Sequence, residues 1–176
     1  MKLANLLGGS MILVAFVVVG CSQGPDDSPG VAQGPTIDGS KFVLADEPQG
    51  AAEVIAARDS ARDAEEVVVV GRIGGSHQPW VEGVAAFSIV DSSLEACSDV
   101  PGDECRTPWD YCCVTPQLKS STALVKLVDA DGQVVKSDAR GLLHLKELQT
   151  VVVRGQAQRD DAGNLTVLAT GVHVRE

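Results

Sequence analysis

The chain has 176 residues and a formal net charge of −10, from 14 Lys+Arg against 24 Asp+Glu. A surface of that sign repels a phosphate backbone, and an aromatic content of 3% leaves few platforms for base stacking, which argues against nucleic acid as a partner. The length suits one domain with a tail.

Met1 and Lys2 precede an apolar run from Met11 to Val19, then Gly20-Cys21. A charged start, a short apolar stretch and a small residue at the cut are the parts of a secretory signal peptide. The run from Leu3 to Val19 is short for a bilayer span, and Gly8, Gly9 and Ser10 interrupt it. Val18-Val19-Gly20-Cys21 resembles the lipobox of bacterial lipoproteins, in which cleavage falls before the cysteine and its thiol carries a diacylglycerol. The resemblance implies removal of residues 1–20, lipidation of Cys21 and a membrane as partner through the acyl chains, at the cell envelope facing the periplasm or exterior. Ser22 follows Cys21 where enterobacterial-type sorting uses aspartate for inner-membrane retention, so the resemblance points to the outer membrane.

Residues 21–49 are rich in Gly, Pro, Ser and Asp and read as a flexible tether. Within it, Lys41-Phe42-Val43-Leu44 is an apolar patch able to dock on the domain. Residues 50–65 have helical spacing, with Ala51, Val54, Ile55 and Arg58 on one face, and predict an amphipathic helix.

From Glu66 the period changes to two, within a domain that runs from Glu66 to Glu176. Val67–Ile73, Val84–Val90 and Ala123–Val128 predict three strands, the third extended by Gln133–Lys136 around the turn Asp129-Ala130-Asp131-Gly132. Ser137-Asp138 predicts the cap of a short helix, Ala139 to about Leu148, with Leu142, Leu145 and Leu148 on one side. Thr150–Gln158 and Leu165–Val174 are the fourth and fifth strands, joined by a turn at Arg159–Asn164. This order resembles an OB-fold, an all-β five-stranded Greek-key barrel with a helix between strands three and four. Gly71 and Gly155 fall inside strands, where small barrels bend or bulge. A small antiparallel sandwich is the alternative.

Between strands two and three lies an insert, Asp91–Ser121, without clear periodicity. It holds Cys97, Cys105, Cys112 and Cys113, with Trp109 and Tyr111 beside them. Three readings compete. In an exported domain four cysteines imply two disulfides, with Cys97 and Cys105 each bonded to one of the vicinal pair. The thiols also suit a soft ion such as Zn²⁺ or Cu(I), with His77 as an added donor, although the spacing is not that of a zinc ribbon. A redox-active vicinal pair is the third reading. The string Gly71-Arg72-Ile73-Gly74-Gly75, Cys97, Pro101-Gly102-Asp103-Glu104-Cys105 and Thr107-Pro108-Trp109-Asp110-Tyr111-Cys112-Cys113 resembles a family of small bacterial lipoproteins with no assigned activity.

No catalytic constellation stands out. Gly71–Ser76 lacks the lysine and Ser/Thr of a phosphate-binding loop, and no Gly-x-Ser-x-Gly elbow occurs. His144 and His173 read as ordinary barrel histidines, and Asp129/Asp131 as turn acids short of a full calcium loop. The chain therefore reads as a lipid-anchored, non-enzymatic binding module of the cell envelope, for a small ligand or an envelope protein, with no cofactor. By analogy with ligand-binding OB-folds, Trp80, Trp109 and Tyr111 are the contact residues. The alternative is a metal-handling or thiol-redox protein working through the cysteines.

Overall fold

A computed structural model describes residues 37–175. The expected signal peptide, Cys21 and the part of the expected tether up to residue 36 lie outside the described residues. Seven strands run in the order β1-β2-β6-β7-β5-β4-β3, and an additional β2–β4 pairing closes five of them into a barrel. They are β1 Ala52–Glu53, β2 Glu66–Ile73, β3 Trp80–Val81, β4 Ala86–Val90, β5 Thr122–Leu127, β6 Thr150–Arg159 and β7 Leu165–Val174. The barrel strands β2, β4, β5, β6 and β7 pair antiparallel, except that β5 and β7 are parallel. That is a Greek-key closure of OB type, with α3 (Ala139–Leu143) between the third and fourth barrel strands.

β-branched runs explain the strands. Val69, Val151, Val153, Val125 and Val167 are fully buried, with Ile73, Phe87, Ile89 and Leu127 filling the same interior. The two glycines read as bends have separate roles. At Gly155 the register of β6 on β7 shifts, and a Cβ there would stand 2.1 Å from the Leu168 carbonyl oxygen. Only a residue without a side chain lets the backbones approach so closely at the bulge. At Gly71 a Cβ would meet Val54 at 2.9 Å, so the glycine lets the first helix lie on the barrel.

Three sequence expectations are corrected. Residues 37–49, assigned to the tether, belong to the domain. Phe42 is buried in the core, the Leu44 N–H donates to the Val172 carbonyl at 2.9 Å, and Arg175 pairs with Glu47 at 2.6 Å. The apolar patch at 41–44 therefore docks along β7. The helix expected over 50–65 is only α1, Val54–Ser60. Ala52 and Glu53 extend the sheet as a parallel edge on β2, and Gly50 turns the chain into it with φ +80°. Its buried residues are Val54 and Ala57, whereas Arg58 donates to the Thr122 carbonyl at 2.8 Å. The helix expected over 139–148 stops at Leu143, where His144 turns left-handed at φ 53°. Leu143 and Leu145 are both buried. Two positions apart, they would face opposite sides of a continuing helix, so the chain leaves the helix to bury both.

The N-terminus of α1 is capped from a distance. Its adjacent residue, Glu53, makes no side-chain cap. Instead the buried carboxylate of Asp91, at the end of β4, accepts from the Ile55 N–H at 2.7 Å and from the Ser93 hydroxyl at 2.6 Å. Burial raises the Asp91 pKa, but the hydrogen bonds from Ser93 and Ile55 outweigh it and leave it below its ordinary value. Asp91→Ala should cost about 1–2 kcal/mol at neutral pH, as the loss of a cap with stranded donors. Because the folded pKa is depressed, the carboxylate's contribution is present above the unfolded value of about 3.9 and is lost as pH falls through and below it. Urea titrations of wild type and Asp91→Ala should therefore converge toward acid.

Candidate functional site

The insert folds onto the end of the barrel where β2 and β4 meet. Val90, Ala96 and Tyr111 form a second small core, with Leu94, Val114, Leu118 and Leu148 packed against it. Two short helical turns present the cysteines, Cys97–Asp99 and Cys112–Val114, and the latter runs into α2, Thr115–Ser121, a helix that the sequence pattern did not reveal. The stretches around these turns are laced together: the Cys97 N–H donates to the Asp110 carbonyl at 2.8 Å, and the Ser98 N–H to the Pro108 carbonyl at 2.9 Å. Asp99 ties the first turn down by accepting from the Ala96 N–H at 3.0 Å and pairing with Arg72 of β2. The insert also presses on Gly74, where a Cβ would meet the Trp109 carbonyl oxygen at 2.7 Å and the Tyr111 ring at 2.9 Å.

The four cysteines converge. The sulfurs of Cys97, Cys105 and Cys112 lie within 4.8 Å of one another, and a second group with the same limit joins Cys97 to Cys113 and an Asp103 carboxylate oxygen. Cys97 is the shared floor, buried at 3% exposure; Cys105 is half-buried, and Cys112 and Cys113 are exposed at the mouth. The adjacent pair thus diverges, Cys112 toward Cys97 at 3.4 Å and Cys113 toward Asp103 at 3.5 Å. The structure places all four as separate thiols. The two disulfides expected from the cysteine count are not seen in the structure, where the Cys97 and Cys112 sulfurs stand 3.4 Å apart against the ~2.05 Å of a bond.

Environment separates the thiols chemically. Burial, then the Cys112 neighbour, pushes the Cys97 thiol up to about 11. The Thr107 hydroxyl and backbone hold Cys105 below its ordinary value. Cys105 is therefore the more readily ionised of the two, and Cys97 stays protonated near neutral pH.

The aromatic residues predicted as ligand contacts are not brought together. Trp80 is a core residue at 5% exposure, stacked on Phe87 with ring centroids 5.7 Å apart, donating to Glu147 at 2.6 Å and lying under the Arg140 guanidinium. Tyr111 is fully buried in the second core. Trp109 is half-buried and spends its indole N–H on the His77 carbonyl at 3.1 Å. Scarcity of aromatics marks these residues as unusual, and for Trp80 and Tyr111 the structure shows a packing role. His77, considered as a metal donor, is not part of either thiol group. What local sequence did not signal was the partnership of Asp103 with Cys113 and of Arg72 with Asp99, both of which depend on how the insert closes.

The architecture defines a class: a five-stranded OB-like barrel whose second-to-third strand connection has become a separate, thiol-bearing lobe. No protein-family model and no curated protein matches the chain. No helix of the described residues is long and apolar enough to cross a membrane.

Proposed function

We propose that the chain is a lipid-anchored, non-enzymatic binding protein of the bacterial cell envelope whose binding site is the thiol cluster of the insert. The observation that supports this most is the convergence of Cys97, Cys105, Cys112 and Cys113 with Asp103 on a lobe that is already held by its own small core. On this reading the small core rather than the cysteines holds the lobe, which leaves them available for a ligand. The aromatic barrel face is not the reading favoured, because Trp80 and Tyr111 are enclosed. The anchor rests on the sequence Val18-Val19-Gly20-Cys21 after an apolar run.

One pair of full-length variants tests both halves. Cys21→Ser should move the protein from the membrane fraction, where wild type resists a high-salt wash, to the soluble fraction, because a negatively charged protein has no electrostatic hold on anionic headgroups. Continued sedimentation with washed membranes overturns the anchor. Serine at all four insert cysteines should leave the midpoint of the reduced, metal-free protein within about 5 °C of wild type, roughly 1–2 kcal/mol. A collapse of the midpoint makes the cluster a structural staple and overturns the binding reading.

A further inference from the structure

We infer that Cys97, Cys105 and Cys112 form a trithiolate site for one soft d¹⁰ metal ion, Zn²⁺ or Cu(I), with Cys113 standing outside the coordination sphere. The inference rests on the proposal that the thiol cluster is the binding site, and it names the ligand.

Geometry is the first argument. A metal–sulfur bond of about 2.3 Å places thiolates bound to one ion ~3.8 Å apart. Three sulfurs with every separation inside 4.8 Å, one of them 3.4 Å, need only small side-chain rotations to reach that spacing. Within this group of three, a single disulfide would engage two sulfurs and leave the third beside it. One ion engages all three at once.

Donor chemistry is the second. The group has no imidazole and no carboxylate, and thiolates alone select soft ions over Mg²⁺, Ca²⁺ or Mn²⁺. Cys113 instead donates to Asp103 at 3.5 Å and groups with that carboxylate and Cys97. Only one of the two groups offers three soft donors. Zn²⁺ in this site keeps its fourth position for water, whereas Cu(I) is satisfied by the three sulfurs.

Preorganisation is the third. Each ligand has a backbone held from outside the cluster. Cys97 is fixed by Asp110 and by the Asp99–Arg72 pair, Cys105 by the Asp103 carboxylate at 2.6 Å from its N–H, and Cys112 by the buried Tyr111 before it. Such outer supports usually govern 10–100-fold of metal affinity. The exposed Cys112 leaves a path for entry, with Cys97 at the floor. Each metal–sulfur bond replaces an Sγ–H bond, and the proton leaves to solvent, so binding involves no change of oxidation state.

The full-length protein, reduced and stripped of metal under anaerobic conditions, should take up one equivalent of Zn²⁺ or Cu(I) and retain it through gel filtration against a competing chelator. Competition between the two ions identifies which is preferred. Cys97→Ser, Cys105→Ser and Cys112→Ser should each weaken binding by more than about 100-fold, beyond an outer-support effect. Cys113→Ser should change it by less than about threefold. In the unmutated chain, the bound ion should shield Cys97, Cys105 and Cys112 from a maleimide and leave Cys113 reactive, which needs no variant to fold. Uptake of two ions, protection of Cys113, or undiminished binding by Cys97→Ser overturns the assignment. Free, reactive thiols that take up neither ion overturn the metal site alone. Thiols that prove to be oxidised in pairs in protein drawn directly from the envelope overturn both this site and the binding module.

Discussion

Tyr111→Ala is expected to lower stability by about 3–5 kcal/mol, the cost of truncating a buried aromatic, which corresponds to a fall in midpoint of roughly 10–20 °C. Tyr111 has no exposed surface and is the largest side chain of the second core. Its ring lies against Gly74, so the loss opens a cavity between insert and barrel. Tyr111→Phe is the decisive companion. The Tyr111 hydroxyl is buried without a hydrogen-bond partner, so removing it should be neutral or stabilising by up to about 1 kcal/mol. Burial also raises the Tyr111 pKa above its ordinary value. The neutral phenol's contribution is complete below the unfolded value near 10 and declines as pH rises above it, so wild type should lose stability in alkali faster than Tyr111→Phe. Calorimetry of the three proteins reads all of this. An unchanged midpoint for Tyr111→Ala would mean that the lobe is not packed as described. Tyr111→Ala should also loosen the turn that carries Cys112, raising its reactivity toward maleimide.

Trp80→Ala should be comparably damaging, again about 3–5 kcal/mol, for a different set of reasons. The indole belongs to the main barrel core. It stacks on Phe87, its N–H donates to Glu147, and Arg140 lies 5.5 Å above its ring. Removing it leaves the Glu147 carboxylate without that donor and Arg140 without a cation–π partner worth about 0.5–1 kcal/mol. Trp80→Phe retains the aromatic contact with Phe87 but not the N–H, and should cost about 1–2 kcal/mol. Urea unfolding separates the two variants. If Trp80→Ala left the unfolding midpoint in place and only weakened binding of some ligand, the surface role expected from fold analogy would be restored.

The outcomes for individual elements show what kind of inference carried. Leu165–Val174 was legible to the residue because a β-branched run begins directly after the Asp160–Asn164 turn, where Asp160 accepts from the Ala162 and Asn164 N–H groups at 3.0 and 2.8 Å. The helix over 50–65 was overextended because its periodicity is compatible with both a helix and a sheet edge, and pairing with β2 decides the matter. The helix after Asp138 began where its cap predicted, since Asp138 accepts from the Arg140 N–H at 3.1 Å. Its end was not legible, because burial of both Leu143 and Leu145 is a tertiary demand. The rarity of aromatics singles out Trp80, Trp109 and Tyr111 but does not say which way a ring faces, and the structure encloses Trp80 and Tyr111.

By itself the sequence determined what depends on near neighbours: the alternation that makes β2, β6 and β7, the turns between strands, the position of the insert, the sign of the surface charge and the apolar run before Cys21. Tertiary structure alone decided what depends on closure. Asp91 reaches thirty-six positions back to cap α1, Phe42 enters the core from a segment that reads as tether, and Cys97 meets Cys112 across fifteen. The physical reason is one of range. Propensity, turn chemistry and periodicity act within a few residues, and their energies are present before the chain is compact. A thiol cluster or a distant cap has no meeting point until the barrel has closed and the insert has packed on Val90, so its geometry is a product of burial.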